Sequence, residues 1–310
     1  MNKSVEVIKG EILGYKRDLK PLTLGKSLDQ VEKTLKNLPG NDNVNLPVIT
    51  LKELKKEAKK FYDQFFTVHE ISTITEQEIY KNQVFLMNSQ TGAEVARKFN
   101  SLCTIKNPFD LPIELVSGHS MVGEVKKPLI IVPTKDFREN VKIPFSHITL
   151  GNNLTKLSIA TYIHEISHTQ TESNIGYAES FYNKEVISIF IEKLAALELD
   201  STGELLRISE RMRYRDLYDR IQFHRTSLLA ISQRLVTIDE VIKATPYVYS
   251  TLLATKLFDK YQTGKESEKN QIIYNIQQVF DGKMTIEQLL ESENISLAKS
   301  KDINLIKRHI

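Results

Sequence analysis

The stretch Asn183–Leu199, NKEVISIFIEKLAALEL, is apolar nearly all the way round. A helix of that composition is stable in water only where neighbouring elements cover every side, so it must sit at the centre of the molecule. Glu185 and Glu192 lie within it. A carboxylate buried in such a helix is costly unless it is paired or bound to a metal. Glu185, Ser188 and Glu192 are spaced i, i+3 and i+7 and share one face. Each glutamate therefore has two readings, as a metal ligand or as the partner of a buried arginine.

The flanking sequence supplies the cover. Leu51–Phe66 places Leu51, Leu54, Ala58, Phe61, Tyr62 and Phe65 at helical spacing, with lysines on the other face. The segment Leu38–Pro47, rich in Pro, Gly and Asn, is a break, and Glu76–Asn100 is again helical in pattern, interrupted around Asn88–Gly92. Between Asn107 and Gly151 the character changes. Five prolines and three glycines there bound β-branched clusters at Ile113–Val116, Leu129–Val132 and Ile143–Leu150, which read as short strands. Helical periodicity returns from Asn153. The expected fold is mainly α with a small β-sheet beside the active-site helix. No break is long enough to be an interdomain linker, so residues 1–310 read as one unit. Its parts are a helical N-terminal region (1–106), a small β region (107–152) and a second helical region (153–310), which carries a histidine motif.

The motif that gives this frame a chemistry is in Thr161–Gln170, TYIHEISHTQ. It holds H-E-x-x-H on a helix, preceded by Asn153 or Thr155 as a possible cap and by the core residues Leu157, Ile159, Ala160 and Ile163. One turn separates His164 from His168, so both imidazoles project from one face and can share a tetrahedral ion. Glu165 lies beside them, placed to take a proton from a water at the ion. With seven histidines in the chain, the pattern arises by chance in about one such protein in a hundred. The expectation is one Zn2+ per chain. Catalytic zinc needs a third protein ligand and an open position. Glu172 and Glu179, in a loop-like TESNIGYAES, and Glu185 and Glu192, in the buried helix, are the candidates. His69-Glu70-Ile71-Ser72 echoes the motif but lacks its second histidine.

Composition narrows the class. The 41% hydrophobic and 26% charged residues are ordinary for a globular protein, and a net charge of +3 does not by itself point to nucleic acid or membrane. Lys299, Lys301, Lys307, Arg308 and His309 read as a solvated basic tail. A lone cysteine, Cys103, excludes an intrachain disulfide and fits a reducing compartment. Met1–Lys20 has no apolar core of the signal-peptide kind, and no run is long enough to span a bilayer. The expectations are a cytoplasmic protein with a peptide substrate and no nucleic-acid or membrane partner.

Glu185-Val-Ile-Ser188-Ile-Phe-Ile-Glu192 resembles the E-x-x-S-x-x-x-E helix of the thimet oligopeptidase and oligoendopeptidase F family of zinc metallopeptidases. The resemblance implies a zincin-like fold, with Glu185 as third ligand rather than Glu192. The segments Leu129–Val132 and Ile148–Asn152, leading into the H-E-x-x-H helix, fit that family's layout. Pro246–Tyr261, PYVYSTLLATKLFDKY, is similar to its tyrosine-rich helix. It implies Tyr249, or failing that Tyr247, as the donor to the oxyanion at the scissile carbonyl. The chain departs from the pattern in three ways. Sixteen residues separate His168 from Glu185, fewer than is usual there; the chain is shorter than that family's members; and no histidine lies just upstream of Tyr247. The implied activity is hydrolysis of peptide bonds in oligopeptides or a peptide precursor, by water activated at zinc with Glu165 as general base. The alternative is a catalytically silent, zinc-dependent peptide-binding protein.

Overall fold

A computed structural model of the chain describes residues 46–73, 104–117, 124–126, 147–174, 181–214 and 238–295. Six helices organise them: α1 (Leu51–Phe65), α2 (Lys156–Asn174), α3 (Phe181–Leu199), α4 (Ile238–Thr263), α5 (Glu266–Phe280) and α6 (Ile286–Ser292). A further helical run covers 204–214. Helix α3 is the axis of the molecule, and every residue from Glu185 to Ala196 is buried. Its two principal partners are α2 and α4. The burial is the one that an all-round apolar helix demands.

Helix α1 starts at a reciprocal cap. Thr50 Oγ1 accepts from the Glu53 amide at 3.2 Å, and the Glu53 carboxylate accepts from the Thr50 amide at 2.7 Å. Of the expected face, Leu54, Ala58, Phe61 and Tyr62 are buried and Phe65 is half-buried, while Leu51, at the first turn, is exposed. From that face the Tyr62 hydroxyl donates to the Ile163 carbonyl at 2.8 Å, tying α1 to the residue before His164.

Strands β1 (Ile71–Thr73) and β2 (Thr104–Lys106) pair antiparallel, with Ile71 opposite Lys106. Both lie in the N-terminal region 1–106, outside the helical segments expected at Leu51–Phe66 and Glu76–Asn100. Three-residue strands leave too short an alternation to register against the helical patterns around them. Strands β3 (Ile113–Val116), β4 (Glu124–Lys126) and β5 (His147–Gly151) form a mixed sheet in the order β3-β5-β4, with β5 parallel to β3 and antiparallel to β4. The strand expected at Ile113–Val116 is present with those bounds. The one expected over Ile143–Leu150 runs instead from His147 to Gly151, residues 143–146 lying outside the described residues. Leu129–Val132 and Glu76–Asn100 also fall outside them. Strand β5 is central in its sheet and is followed directly by α2, so the sheet aims that helix into the core.

Two side-chain amides complete the frame. Gln277 accepts from the Thr67 amide at 2.8 Å and donates to the Thr67 carbonyl at 3.2 Å. Gln170 does the same for His69, at 2.7 and 3.2 Å. Each amide stands in for one residue of a neighbouring strand and satisfies a main chain that leaves α1 toward β1. The His69 ring is turned away from α2 and meets Asp281, with Nε2 2.9 Å from Oδ1. No described helix is long and apolar enough to cross a membrane.

Candidate metal centre

Helix α2 is buried continuously from Tyr162 to Thr171, and that span contains the whole motif. His164, Glu165 and His168 are 7%, 3% and 9% exposed, and across from them Glu185 is 5% exposed. One potential ligand atom each from His164, His168 and Glu185 lies within 4.8 Å of the others. The triangle is tight. Nε2 of His164 and Nε2 of His168 are 3.1 Å apart. Glu185 Oε2 is 3.5 Å from the first, and Glu185 Oε1 is 3.4 Å from the second. Donors about 2.0–2.1 Å from a tetrahedral ion are about 3.3 Å from one another. The three contacts, the last two to different oxygens of one carboxylate, bracket that figure.

The donor set fits a divalent cation on other grounds. Glu185 Oε2 is buried beside His164 Nε2, 3.5 Å away. Two imidazole nitrogens at 3.1 Å also face each other, an arrangement that needs a proton or a cation between them. Among the described residues, three buried carboxylates, Glu165, Glu185 and Glu192, stand beside one guanidinium, that of Arg213. When all three are ionised, two negative charges remain, which one divalent ion neutralises.

The titration behaviour without metal has the same origin. Burial disfavours a charged His164, but hydrogen bonds to Glu185 and Glu192 and the charges of Glu165 and Glu192 outweigh it and push the ring up to about 10. Burial also opposes ionisation of Glu185, yet the His168 and His164 charges and hydrogen bonds hold it well below the usual carboxylate range. Glu165 goes the other way: burial raises it, and the two histidines only partly offset that. A carboxylate held closer to neutrality than its neighbours is suited to exchanging a proton. Glu165 Oε1 lies 3.9 Å from His164 Nε2, beside the ligand triangle and outside it.

Glu192 takes the other reading open to it. It does not join the triangle. Its Oε2 is 2.9 Å from His164 Nδ1, the far nitrogen of that ring, and is bonded by Arg213 Nη2. Burial raises it, but the Arg213 charge and the bonds from His164 and Ser209 win and hold it at about 2. The far nitrogen of His168 is met differently. Its Nδ1 is 3.3 Å from Ser188 Oγ, which is 2.7 Å from Ser167 Oγ, which donates to the His164 carbonyl at 2.6 Å. With Nε2 of His168 free to bind metal, the proton sits on Nδ1 and points to Ser188 Oγ.

The remaining candidates are placed as follows. Glu172 belongs to α2, which continues to Asn174 rather than ending in a loop; its side chain and all of Glu179 lie outside the described residues. Tyr247 and Tyr249 belong by backbone to α4, with side chains likewise outside them. Arg213 and Ser209 were not singled out by the sequence. The available signal was a charged pair inside an apolar helix, Glu192-Lys193, followed by the charged run Glu210-Arg211-Met212-Arg213.

No known protein-family profile matches the chain, and no curated protein matches it significantly. Among solved structures it is similar to a crystal structure of a Bacillus anthracis protein assigned as an oligoendopeptidase F, with 10% sequence identity and a TM-score of 0.46. The match covers 92% of this chain and 55% of that one, so the chain spans about half of that protein's length. A likeness this loose says nothing about activity, which rests on the geometry of the centre.

Proposed function

We propose that the chain is a zinc-dependent, zincin-like metallopeptidase that hydrolyses peptide bonds in oligopeptides or a peptide precursor. One observation carries the reading: His164 Nε2, His168 Nε2 and the Glu185 carboxylate converge at tetrahedral-edge spacing with Glu165 beside them. A His-His-Glu donor set with an acid one position from the first histidine suits catalysis better than a structural site, which closes all four positions. When bound, zinc supplies a Lewis acid that polarises a carbonyl oxygen and acidifies a water.

The chain's own residues do the rest. His164, His168 and Glu185 bind the ion. Glu165 takes a proton from the attacking water and returns it to the leaving amine, a role helped by burial that raises its proton affinity. Tyr249, with Tyr247 as the alternative, donates to the oxyanion; their helix α4 packs against α3, which carries Glu185. Such a donor contributes about 2.7–4 kcal/mol to the transition state.

The test is Glu165→Gln assayed on a mixed peptide pool with zinc present. Retained zinc, with new termini appearing about 10²–10⁴-fold more slowly than in wild type, is the expected result. Unchanged hydrolysis in that variant sinks the mechanism. A wild-type protein that retains peptide in a zinc-dependent way and never produces new termini identifies a binding protein instead.

A further inference from the structure

Behind the ligand triangle lies a second layer of polar groups, and its two halves differ. The far nitrogen of His168 meets a neutral hydroxyl, Ser188 Oγ. The far nitrogen of His164 meets an anion, Glu192 Oε2, at 2.9 Å. Both oxygens of Glu192 are engaged on their other side: Arg213 Nη2 bonds Oε2, and Ser209 Oγ donates to Oε1 at 3.2 Å. Arg213 and Ser209 both belong to the helical run 204–214. That run is pinned to α3 one residue further on, where Lys193 Nζ donates to Glu210 Oε1 at 2.7 Å inside the core.

We propose that Arg213 is a positioning residue for the metal centre, acting through Glu192 to fix the ring of His164. The inference rests on the zinc reading given above. Glu185 and Glu192 share one face of α3, and a carboxylate at either position has rotamers to choose from. The guanidinium, a rigid planar donor, holds Glu192 in the arrangement that sets Oε2 2.9 Å from His164 Nδ1. With Nδ1 as donor, the lone pair of Nε2 is directed at the position faced by His168 and Glu185. The same restraint keeps Glu192 from turning to compete with Glu185 for the ion. Groups behind metal-bound histidines, and what holds those groups, shift affinity without touching the metal.

Zinc affinity by chelator competition, on wild type, R213A, E192A and R213A/E192A, tests this. E192A is expected to weaken binding about 10–100-fold and R213A about tenfold, with one zinc still bound per chain at saturation. Because Arg213 acts only through Glu192, the double variant should bind no more weakly than E192A alone. Cobalt-loaded R213A should show a displaced visible absorption band, which a loss of packing alone would not cause. The proposal is overturned if R213A keeps wild-type affinity and spectrum, or if the two losses multiply in the double variant. Should R213A fail to fold, R213K, which keeps the charge and loses the fork, carries the test: affinity reduced several-fold supports the proposal, and wild-type affinity refutes it. A wild-type protein that binds no zinc overturns the metal reading itself, whereas zinc-binding wild type with unaltered variants overturns only the role of Arg213.

Discussion

Glu210→Ala should be among the most damaging single substitutions in the chain, although it touches none of the proposed ligands. Lys193 and Glu210 are 1% and 2% exposed, and their Nζ and Oε1 atoms are 2.7 Å apart. The rings of Tyr214 and Phe258 lie 5.3 and 5.8 Å from the ammonium. Burial works against a charged Lys193, but the Tyr214 and Glu210 interactions prevail and keep it protonated. Removing the carboxylate strands that charge among apolar groups. Breaking a buried pair by losing one partner costs about 3–5 kcal/mol, and the ring contacts, present with or without Glu210, soften only what the stranded ammonium meets. The expected loss is therefore about 3 kcal/mol, a large part of the 5–15 kcal/mol that typically holds a domain together. Urea unfolding of the metal-free protein measures it, as a lower midpoint with little change in slope. In K193M/E210M no charge is stranded, so the double variant should be more stable than Glu210→Ala. A cost below about 1 kcal/mol for Glu210→Ala, or a double variant that loses the sum of both single losses, refutes the reasoning.

Other expectations concern the centre and its supports. Ser188→Ala removes the acceptor at His168 Nδ1 and should weaken zinc binding about tenfold while leaving the fold intact, read by chelator competition and circular dichroism. Tyr62→Phe removes the hydrogen bond from α1 to the Ile163 carbonyl and should lower stability by about 1–2 kcal/mol in thermal unfolding. The pH profile of the metal-free protein follows from opposite shifts. His164, raised to about 10, contributes stability in full below the unfolded value near 6.5 and loses it as pH climbs through about 10. Glu185 and Glu192, both depressed, contribute above the unfolded value near 4.3 and lose it as pH falls, through about 2 for Glu192. Glu165, raised by burial, works the other way, costing stability as pH rises above the unfolded value near 4.3. The profile should therefore fall toward acid through about 2 and toward alkali through about 10 with no flat plateau between, read in denaturant titrations. Zinc must displace the His164 proton, so binding should release protons and tighten with rising pH, which calorimetry in buffers of different ionisation enthalpy detects.

Local spacing made half of the centre legible. His164 and His168 are one helical turn apart, and that offset alone makes their rings neighbours wherever α2 lies. The burial of α3 was legible for a similar reason, since an apolar stretch of that length leaves no face for water. The choice between Glu185 and Glu192 was not fixed by spacing. Seven residues on one face are about 10 Å apart along the axis, so only one can reach the paired Nε2 atoms, and which one depends on how α2 and α3 are aligned. The resemblance favoured Glu185, and the distances place it at the triangle while Glu192 lies behind His164. Arg213 was illegible because its partner is 21 residues away across a turn, and no local pattern ties them. The β1–β2 pairing and the brackets made by Gln170 and Gln277 are also long-range. Their partners are brought together by the packed fold, so neither leaves a periodic trace in the sequence.

The central claim is that His164, His168 and Glu185 hold one zinc ion. Zinc content after dialysis against a weak chelator, compared among wild type, Glu185→Ala and Glu192→Ala, tests it most directly. The account predicts one equivalent in wild type, none in Glu185→Ala, and in Glu192→Ala a site that refills at higher free zinc, its affinity reduced about 10–100-fold. A Glu185→Ala protein that keeps its zinc while Glu192→Ala cannot be loaded would contradict it.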